Sequence, residues 1–395
     1  DDSFTYECIT SENSSCFYLV ELGKKLNIFF KLIFLFFTYY ILLKFNFNKI
    51  SSLGIVAFIS FNPLTNDYLN SYLLDYFSSL MFLIASYCFY LVISKPKIST
   101  KICFFYGFVF SLLIMTKFVY FYAIYLLTFF VLIVFTFRYL FPKFYYKSNY
   151  IRLLSLKNIL IFSLVAMIIP TLWKARSYYD TGYFELSPRG SGSILQRIEH
   201  ITMTDEEFKA GLWLYFYDSN LRDQKMSQID PKYLSRYELS CNNHKNWYCI
   251  HETGDGLVLK RLEPKFRNNN AHRMEEGIKV LKENLGKHLK LTILFLERGT
   301  LGLLSGFSDR GTFNELYKYF FILAFIIFPI SVVYFILTKN IILLILSFPL
   351  IFHISIHSLL THYEPRYSII ILNYLIIYFF ISIYTFLKKY YARIS

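Results

Sequence analysis

The feature that most constrains this chain is a series of apolar runs, several of them long enough to cross a bilayer. A spanning helix needs about 20 mostly apolar residues, because nothing in the hydrocarbon layer satisfies backbone N–H and C=O groups except the helix itself. Such runs cover residues 27–47, 72–93, 118–137, 158–173, 316–337, 341–360 and 367–387. Two shorter runs, 52–62 and 102–116, bring the expected total to about nine spans. The first of these ends at Asn62-Pro63, where proline removes a helix donor. Composition points the same way: 17% of residues are charged, against roughly 25% in ordinary soluble domains. This much apolar surface excludes a disordered linker, and its concentration in blocks argues against a single soluble domain. The expected fold class is an all-α polytopic membrane protein with a large, mostly helical extracytoplasmic loop.

Charge orients the bundle. Lys+Arg outnumber Asp+Glu by 41 to 27, a formal +14. Basic residues gather in short loops: Lys95, Lys97 and Lys101; Arg138, Lys143, Lys147, Arg152 and Lys157; Lys388, Lys389 and Arg393; and singly Lys49 and Lys339. With nine spans all five positions fall on one face, which the positive-inside rule makes cytoplasmic. The N-terminal stretch, the 62–71 segment, the large loop and the 362–366 turn then lie outside. No RNP, zinc-finger or helix-turn-helix signature accompanies the charge, so nucleic acid is not the expected partner. The expected organisation is an extracytoplasmic segment 1–26, a transmembrane bundle 27–173 of about six spans, an extracytoplasmic cap 174–315 with interfacial helices, and three transmembrane helices with a cytoplasmic tail in 316–395. The chain opens Asp1-Asp2-Ser3 with neither Met nor a signal peptide, and reads as a fragment.

The cysteines divide three ways. Cys88 and Cys103 sit in or beside apolar runs and read as small buried hydrophobes. Cys8 and Cys16, and Cys241 and Cys249, each close a short polar loop, which suits disulfides in an oxidising compartment. Cys241, His244, Cys249 and His251 are alternatively a zinc set, although their spacing follows no standard pattern. The large loop holds Trp213, Tyr215, Phe216, Tyr217, Trp247 and Tyr248, enough apolar matter for a small folded cap. Thr204-Asp205-Glu206-Glu207 has the form of a helix start. Asn270 is placed to cap one helix over 271–296, with Met274, Ile278, Leu281, Leu285 and Leu289 as its stripe. The mixed stretch 289–304 suits a position in the membrane interface.

Three islands of ionisable residues flank the spans on the outer side. In WKARSYYDTGYFELSPRGSGSIL (173–195), Lys174 and Arg176 either snorkel or bind phosphate, Arg176 in a forked geometry, with Tyr178 at the interface. In HSLLTHYEPRYS (357–368), His362, Glu364 and Arg366 crowd one turn between Tyr363 and Tyr367. That is either a solvated turn or a headgroup or phosphate site. His353 and His357, one turn apart on the preceding span, are two metal ligands at most or hydrogen-bonding groups between helices. In NPLTNDYLNSYLLDYF (62–77), Asp67 and Asp75 stand at the outer leaflet. Asp75 either favours a helix N-terminus or serves as base, metal ligand or sugar-binding acid. Lys117, between two apolar runs, also faces outward.

In order and spacing these islands resemble the C-type (GT-C) membrane glycosyltransferases, the superfamily of protein O-mannosyltransferases and aminoarabinose lipid A transferases. FNPLTNDYLNSYLLDYF resembles the family's outer turn, with Asp75 where Glu is usual. GFVFSLLIMTKF resembles its Gly-rich span ending in a basic residue, here Lys117 where Arg is usual. WKARSYYDTGYFELSPRGSGSIL resembles its Arg–aromatic–Gly motif, GIKVLKENLGKHLKLTILFLERG its amphipathic segment, and HYEPRYS its late Arg-Tyr motif. The match covers about residues 50–387, while the family's first span and most of its first outer loop, which carries the general base, are missing. The resemblance implies transfer of a sugar from a polyprenyl-phosphate donor, in a cell-envelope membrane such as a bacterial inner membrane, to a lipid, glycan or protein acceptor outside. Asp1, Asp2 or Asp75 would be the carboxylate that serves as general base. Lys117, Arg176, Tyr178, His362, Glu364, Arg366 and Tyr367 would bind the lipid-linked phosphate. The resemblance implies no definite cofactor, and a divalent metal is compatible with the chemistry. The rival classes are a transporter or flippase of lipid-linked saccharides and a structural membrane protein. A transporter should show internal repeats, which the sequence lacks.

Overall fold

The computed structural model describes residues 14–67, 69, 75–95, 98–140, 156–182, 184, 186, 197–198, 200–201, 203–216, 219–234, 258, 261–266, 270–302, 304, 312–360 and 365–394. Asp1, Asp2, Cys8, Cys241, His244, Cys249, His251, His362 and Glu364 lie outside them, as do the side chains of Cys16 and Arg366. Among the described residues every regular element is a helix. In chain order these are α1 (Ser14–Lys44), α2 (Lys49–Ser60), α3 (Pro63–Asp67), α4 (Asp75–Ser94), α5 (Thr100–Thr116), α6 (Phe121–Leu140), α7 (Leu156–Thr181), α8 (Asp205–Leu214), α9 (Ser219–Met226), α10 (Asn270–Glu283), α11 (Leu285–Thr300), α12 (Thr312–Leu337), α13 (Ile341–Leu360) and α14 (Pro365–Ile394).

Among the described residues, six stretches are long and apolar enough to cross a membrane: Glu21–Lys44, Asp75–Ser94, Lys157–Asp180, Asn314–Leu337, Ile342–Leu360 and Tyr367–Tyr391. The chain thus has the make-up of a helical integral membrane protein. Of the three remaining apolar runs, two form shorter apolar helices, Lys49–Ser60 and Thr100–Thr116, and the third enters the 20-residue helix α6 through Phe118–Phe129. The two shorter helices are cut by local chemistry. α2 stops at Phe61, before Pro63 opens α3, and at 1.5 Å per residue its 12 residues rise only ~18 Å. α5 stops at Lys117, whose backbone is extended (φ −144°, ψ 97°), and a 3-10 turn, Phe118–Tyr120, leads into α6.

The described residues fall into two compact units. Unit 1 comprises residues 1–172, 323–350 and 369–395, and unit 2 residues 173–322 and 351–368. In unit 1, α1 packs on α2 and α4, and α4 on α5. The segment 369–379 of α14 is buried at every position, as expected of a helix apolar all round. α5 approaches α7 at Gly107, where an added Cβ would lie 2.7 Å from the Phe162 carbonyl oxygen and 2.8 Å from Val165 Cβ. Small residues at such crossings let helices pack closely. α1 ends on Asn46 in the left-handed region (φ 64°), and Phe47 N–H closes the turn on the Leu42 carbonyl at 3.2 Å.

Unit 2 is built around Ile198, Ile201, Phe208, Leu291, Leu294 and Phe295. The helix expected from Thr204 onward forms, with a complete capping box. Thr204 Oγ1 accepts from Glu207 N–H at 3.2 Å, and Glu207 Oε2 from Thr204 N–H at 2.7 Å. The single helix expected over 271–296 is instead two. Asn284 separates α10 from α11, its side-chain Nδ2 bonded to the Val280 carbonyl at 2.9 Å. Asparagine competes in this way with the helical ladder, and Gly286 follows two residues later. The expected stripe divides accordingly. Leu281 is buried, whereas Ile278, Leu285 and Leu289 are exposed. The buried face of α11 is His288, Leu291, Leu294, Phe295 and Arg298.

Candidate functional site

Unit 1 holds a polar island where α2, α3 and α4 meet. Asn62 precedes the Pro63 that opens α3, and its buried amide Nδ2 donates to Asn373 Oδ1 on α14 at 3.1 Å. Lys31 Nζ donates to Asn66 Oδ1 at 2.7 Å and to the Ser60 carbonyl at 2.8 Å. Asn66 Nδ2 reaches the same carbonyl at 3.1 Å, and Tyr76 OH meets Asn66 Oδ1 at 3.5 Å. Asp75 opens α4 and is only 3% exposed, so it is not a solvated helix-cap acid. Among the sequence-derived site residues, Asp75 and Lys117 belong to unit 1; Arg176, Tyr178 and Tyr367 belong to unit 2.

Unit 2 is organised by a residue that sequence reading did not single out. Arg197 is fully buried. Its Nε donates to His288 Nδ1 (2.9 Å), Nη1 to the Ser358 carbonyl (2.5 Å), and Nη2 to the His288 carbonyl (2.9 Å) and Thr292 Oγ1 (2.8 Å). The guanidinium also lies 5.0 Å from the Phe295 ring centroid. One side chain therefore ties α11 to the end of α13. Burial pulls its pKa down to about 9, leaving it protonated at neutral pH. His288, buried and facing this cation, is pulled down to about 4. Its Nδ1 accepts the Arg197 bond, so the neutral ring carries its proton on Nε2.

The C-terminal end of α11 meets the start of α14. Ser368 Oγ donates to the Gly299 carbonyl. Beside that junction Arg298 is buried, with its guanidinium 5.1 Å from the Tyr215 ring centroid. Glu297, one residue earlier, has its carboxyl pushed up to about 7 by burial, so it exists in both protonation states at neutral pH. The Tyr367 ring lies tilted against His357, centroids 4.8 Å apart, and the His357 ring in turn lies 4.5 Å from that of His353. Arg366 occupies the first turn of α14. The structure thus joins the sequence-derived Arg-Tyr island to the end of the amphipathic segment, two stretches about seventy residues apart.

The 173–195 island has a more local character. Arg176 Nε pairs with Asp180 at 2.7 Å on the same helix and is largely exposed, with its guanidinium 5.8 Å from the Tyr179 ring centroid. Lys174 lies 5.0 Å from the Phe184 ring centroid, Trp173 Nε1 donates to the Leu186 carbonyl at 3.2 Å, and Tyr178 is exposed. Among the described residues no group of three or more His, Cys, Asp or Glu is placed to hold a metal ion. Arg197, His288, Glu297 and Arg298 escaped sequence reading for a physical reason. Their significance is burial, and a lone Arg or Glu in a mixed stretch carries no burial signal. The Glu-Arg-Gly ending of an amphipathic segment was the one available hint. Comparison with protein-family models, curated proteins and solved structures returns no match for this chain.

Proposed function

We propose that this chain is an integral membrane glycosyltransferase of the GT-C kind, moving a sugar from a polyprenyl-phosphate donor to a hydroxyl acceptor on the outer face. The reading carries with it about nine spans, a cell-envelope location such as a bacterial inner membrane, and the orientation set by the basic loops. The observation that supports it best is the junction of Gly299 with Ser368 in unit 2. There, a carboxyl that titrates near neutrality, a buried guanidinium and the first turn of a long helix bearing Arg366 all come from neighbouring residues. A helix N-terminus and arginines favour a phosphate, and a carboxyl with a pKa near the working pH suits proton transfer.

In the proposed reaction a carboxylate accepts the acceptor hydroxyl proton as that oxygen attacks the anomeric carbon. The bond from the anomeric carbon to the phosphate oxygen breaks, and the phosphate leaves with the electron pair, stabilised by cations. Asp1, Asp2 and Asp75 are the sequence-derived bases, and Glu297 joins them. The sequence-derived phosphate partners are Lys117, Arg176 and Arg366, together with Tyr178, His362, Glu364 and Tyr367. Arg366→Ala should abolish transfer while leaving membrane insertion intact; full activity in the variant would sink the phosphate-site assignment. A second reading, a transporter of lipid-linked saccharides, draws on the interruption at Lys117 between two apolar helices. It predicts donor movement across the bilayer with the donor chemically unchanged.

A further inference from the structure

We infer that unit 1 carries a separate site for one acyl chain of an anionic phospholipid, in a cleft between the α1–α2 turn and α14. The cleft has a volume of about 620 Å³, within the range of small-molecule sites. Its position is fixed by Tyr384, whose hydroxyl donates to the Asn46 carbonyl at 3.1 Å and whose ring lies 4.6 Å from that of Phe47. Apolar walls come from Ile55, Phe58 and Phe380, the two rings being edge-to-face at 6.3 Å. Asn48 and Ser51 stand at one end of the cleft and make it amphiphilic. Gly54 lines it too, and a Cβ added there would meet nothing within 4 Å.

Charge and surroundings select the occupant. Lys49 follows Asn48 directly and Lys388 lies one helical turn beyond Tyr384; both are exposed. Both cations flank, along the chain, the residues that form the polar end of the cleft, and such cations attract an anionic leaflet. On α2 the large apolar side chains Ile50, Leu53 and Phe61 are also exposed, which suits a helix facing lipid. A fatty acyl chain would lie along Ile55, Phe58 and Phe380, with an acidic headgroup at Lys49 and Lys388. This site is independent of the proposed transfer chemistry.

The test uses the full chain reconstituted in nanodiscs of equal phosphatidylglycerol and phosphatidylcholine, re-extracted in mild detergent and weighed by native mass spectrometry. The wild type should retain one phosphatidylglycerol. Gly54→Phe fills the cleft while improving helix propensity, and should retain it about tenfold less. Lys49→Gln/Lys388→Gln should keep a lipid but lose the preference for phosphatidylglycerol. Equal retention by wild type and Gly54→Phe would overturn the proposal, and so would an unchanged headgroup preference in the double variant. A lipid-free wild type running as two copies of the chain that separate on Gly54→Phe would assign the cleft to self-association and overturn it as well.

Discussion

The strongest quantitative expectation concerns two opposing titrations on α11. His288 is held at about 4 against an ordinary 6.5, by burial and by Arg197. A histidine lowered in the folded state contributes stability that is complete above the unfolded value and is lost as pH falls toward the folded one. At 1.36 kcal/mol per unit, taking the pH from 7 to 5 costs unit 2 about 2 kcal/mol through His288. Glu297 acts in the opposite sense. Its carboxyl, raised from 4.5 to about 7, destabilises increasingly as pH rises from 4.5 to 7. Lowering the pH from 7 to 5 restores at most about 2 kcal/mol, less whatever its partial exposure screens. The wild type should therefore be nearly flat across this window, and the two single variants should not. His288→Asn keeps an acceptor for Arg197 Nε but removes the titration; its α11 amides should gain protection on going from pH 7 to 5. Glu297→Gln should lose protection over the same window, by about thirtyfold for a 2 kcal/mol change. Hydrogen exchange of the nanodisc-bound chain, followed by mass spectrometry and corrected for intrinsic rates, reads both. If both variants follow the wild-type curve, neither side chain is held as described and the electrostatic reading of unit 2 fails.

Three further outcomes are expected. Gly107→Ala places a Cβ against the Phe162 carbonyl oxygen and Val165, and should lower the melting temperature in detergent through a cost of about 1–3 kcal/mol; an unchanged melting temperature would show that α5 and α7 are not in close contact there. Asn62→Leu leaves the buried Asn373 amide without its partner and should destabilise by about 1–3 kcal/mol. The Asn62→Leu/Asn373→Leu double variant should cost less than the two single variants summed, and strict additivity in thermal unfolding would count against the pairing. Cys241 and Cys249 should resist thiol labelling in intact membranes until reduced; free labelling of the unreduced chain would remove the disulfide and the oxidising compartment together.

How much of this was legible in advance depended on whether the signal was carried by runs or by burial. The long apolar segments were visible because a span is a continuous property of about 20 residues, and α4, α12, α13 and α14 emerge close to the runs that announced them. The helix start at Thr204 was visible because its capping hydroxyl and first-turn acids are neighbours in the sequence. The division at Asn284 was not. The apolar positions continue through it, so periodicity alone suggested one helix, and an asparagine side chain turned back on Val280 overrides that pattern. Nor could spacing reveal that Arg197 would be buried against His288, Thr292 and Ser358 from two other helices. Those contacts join residues as many as 161 positions apart, and no local pattern encodes them.

The proposed transfer of sugar from a lipid-linked phosphate is read most directly from consumption of the donor itself. The chain would be placed in proteoliposomes with a mixed pool of polyprenyl-phosphate sugars and an acceptor-bearing membrane extract, and free polyprenyl phosphate would be quantified by mass spectrometry. The wild type should release it, and Arg366→Ala should not. No release by the wild type, or equal release by both proteins, would contradict the proposed transfer.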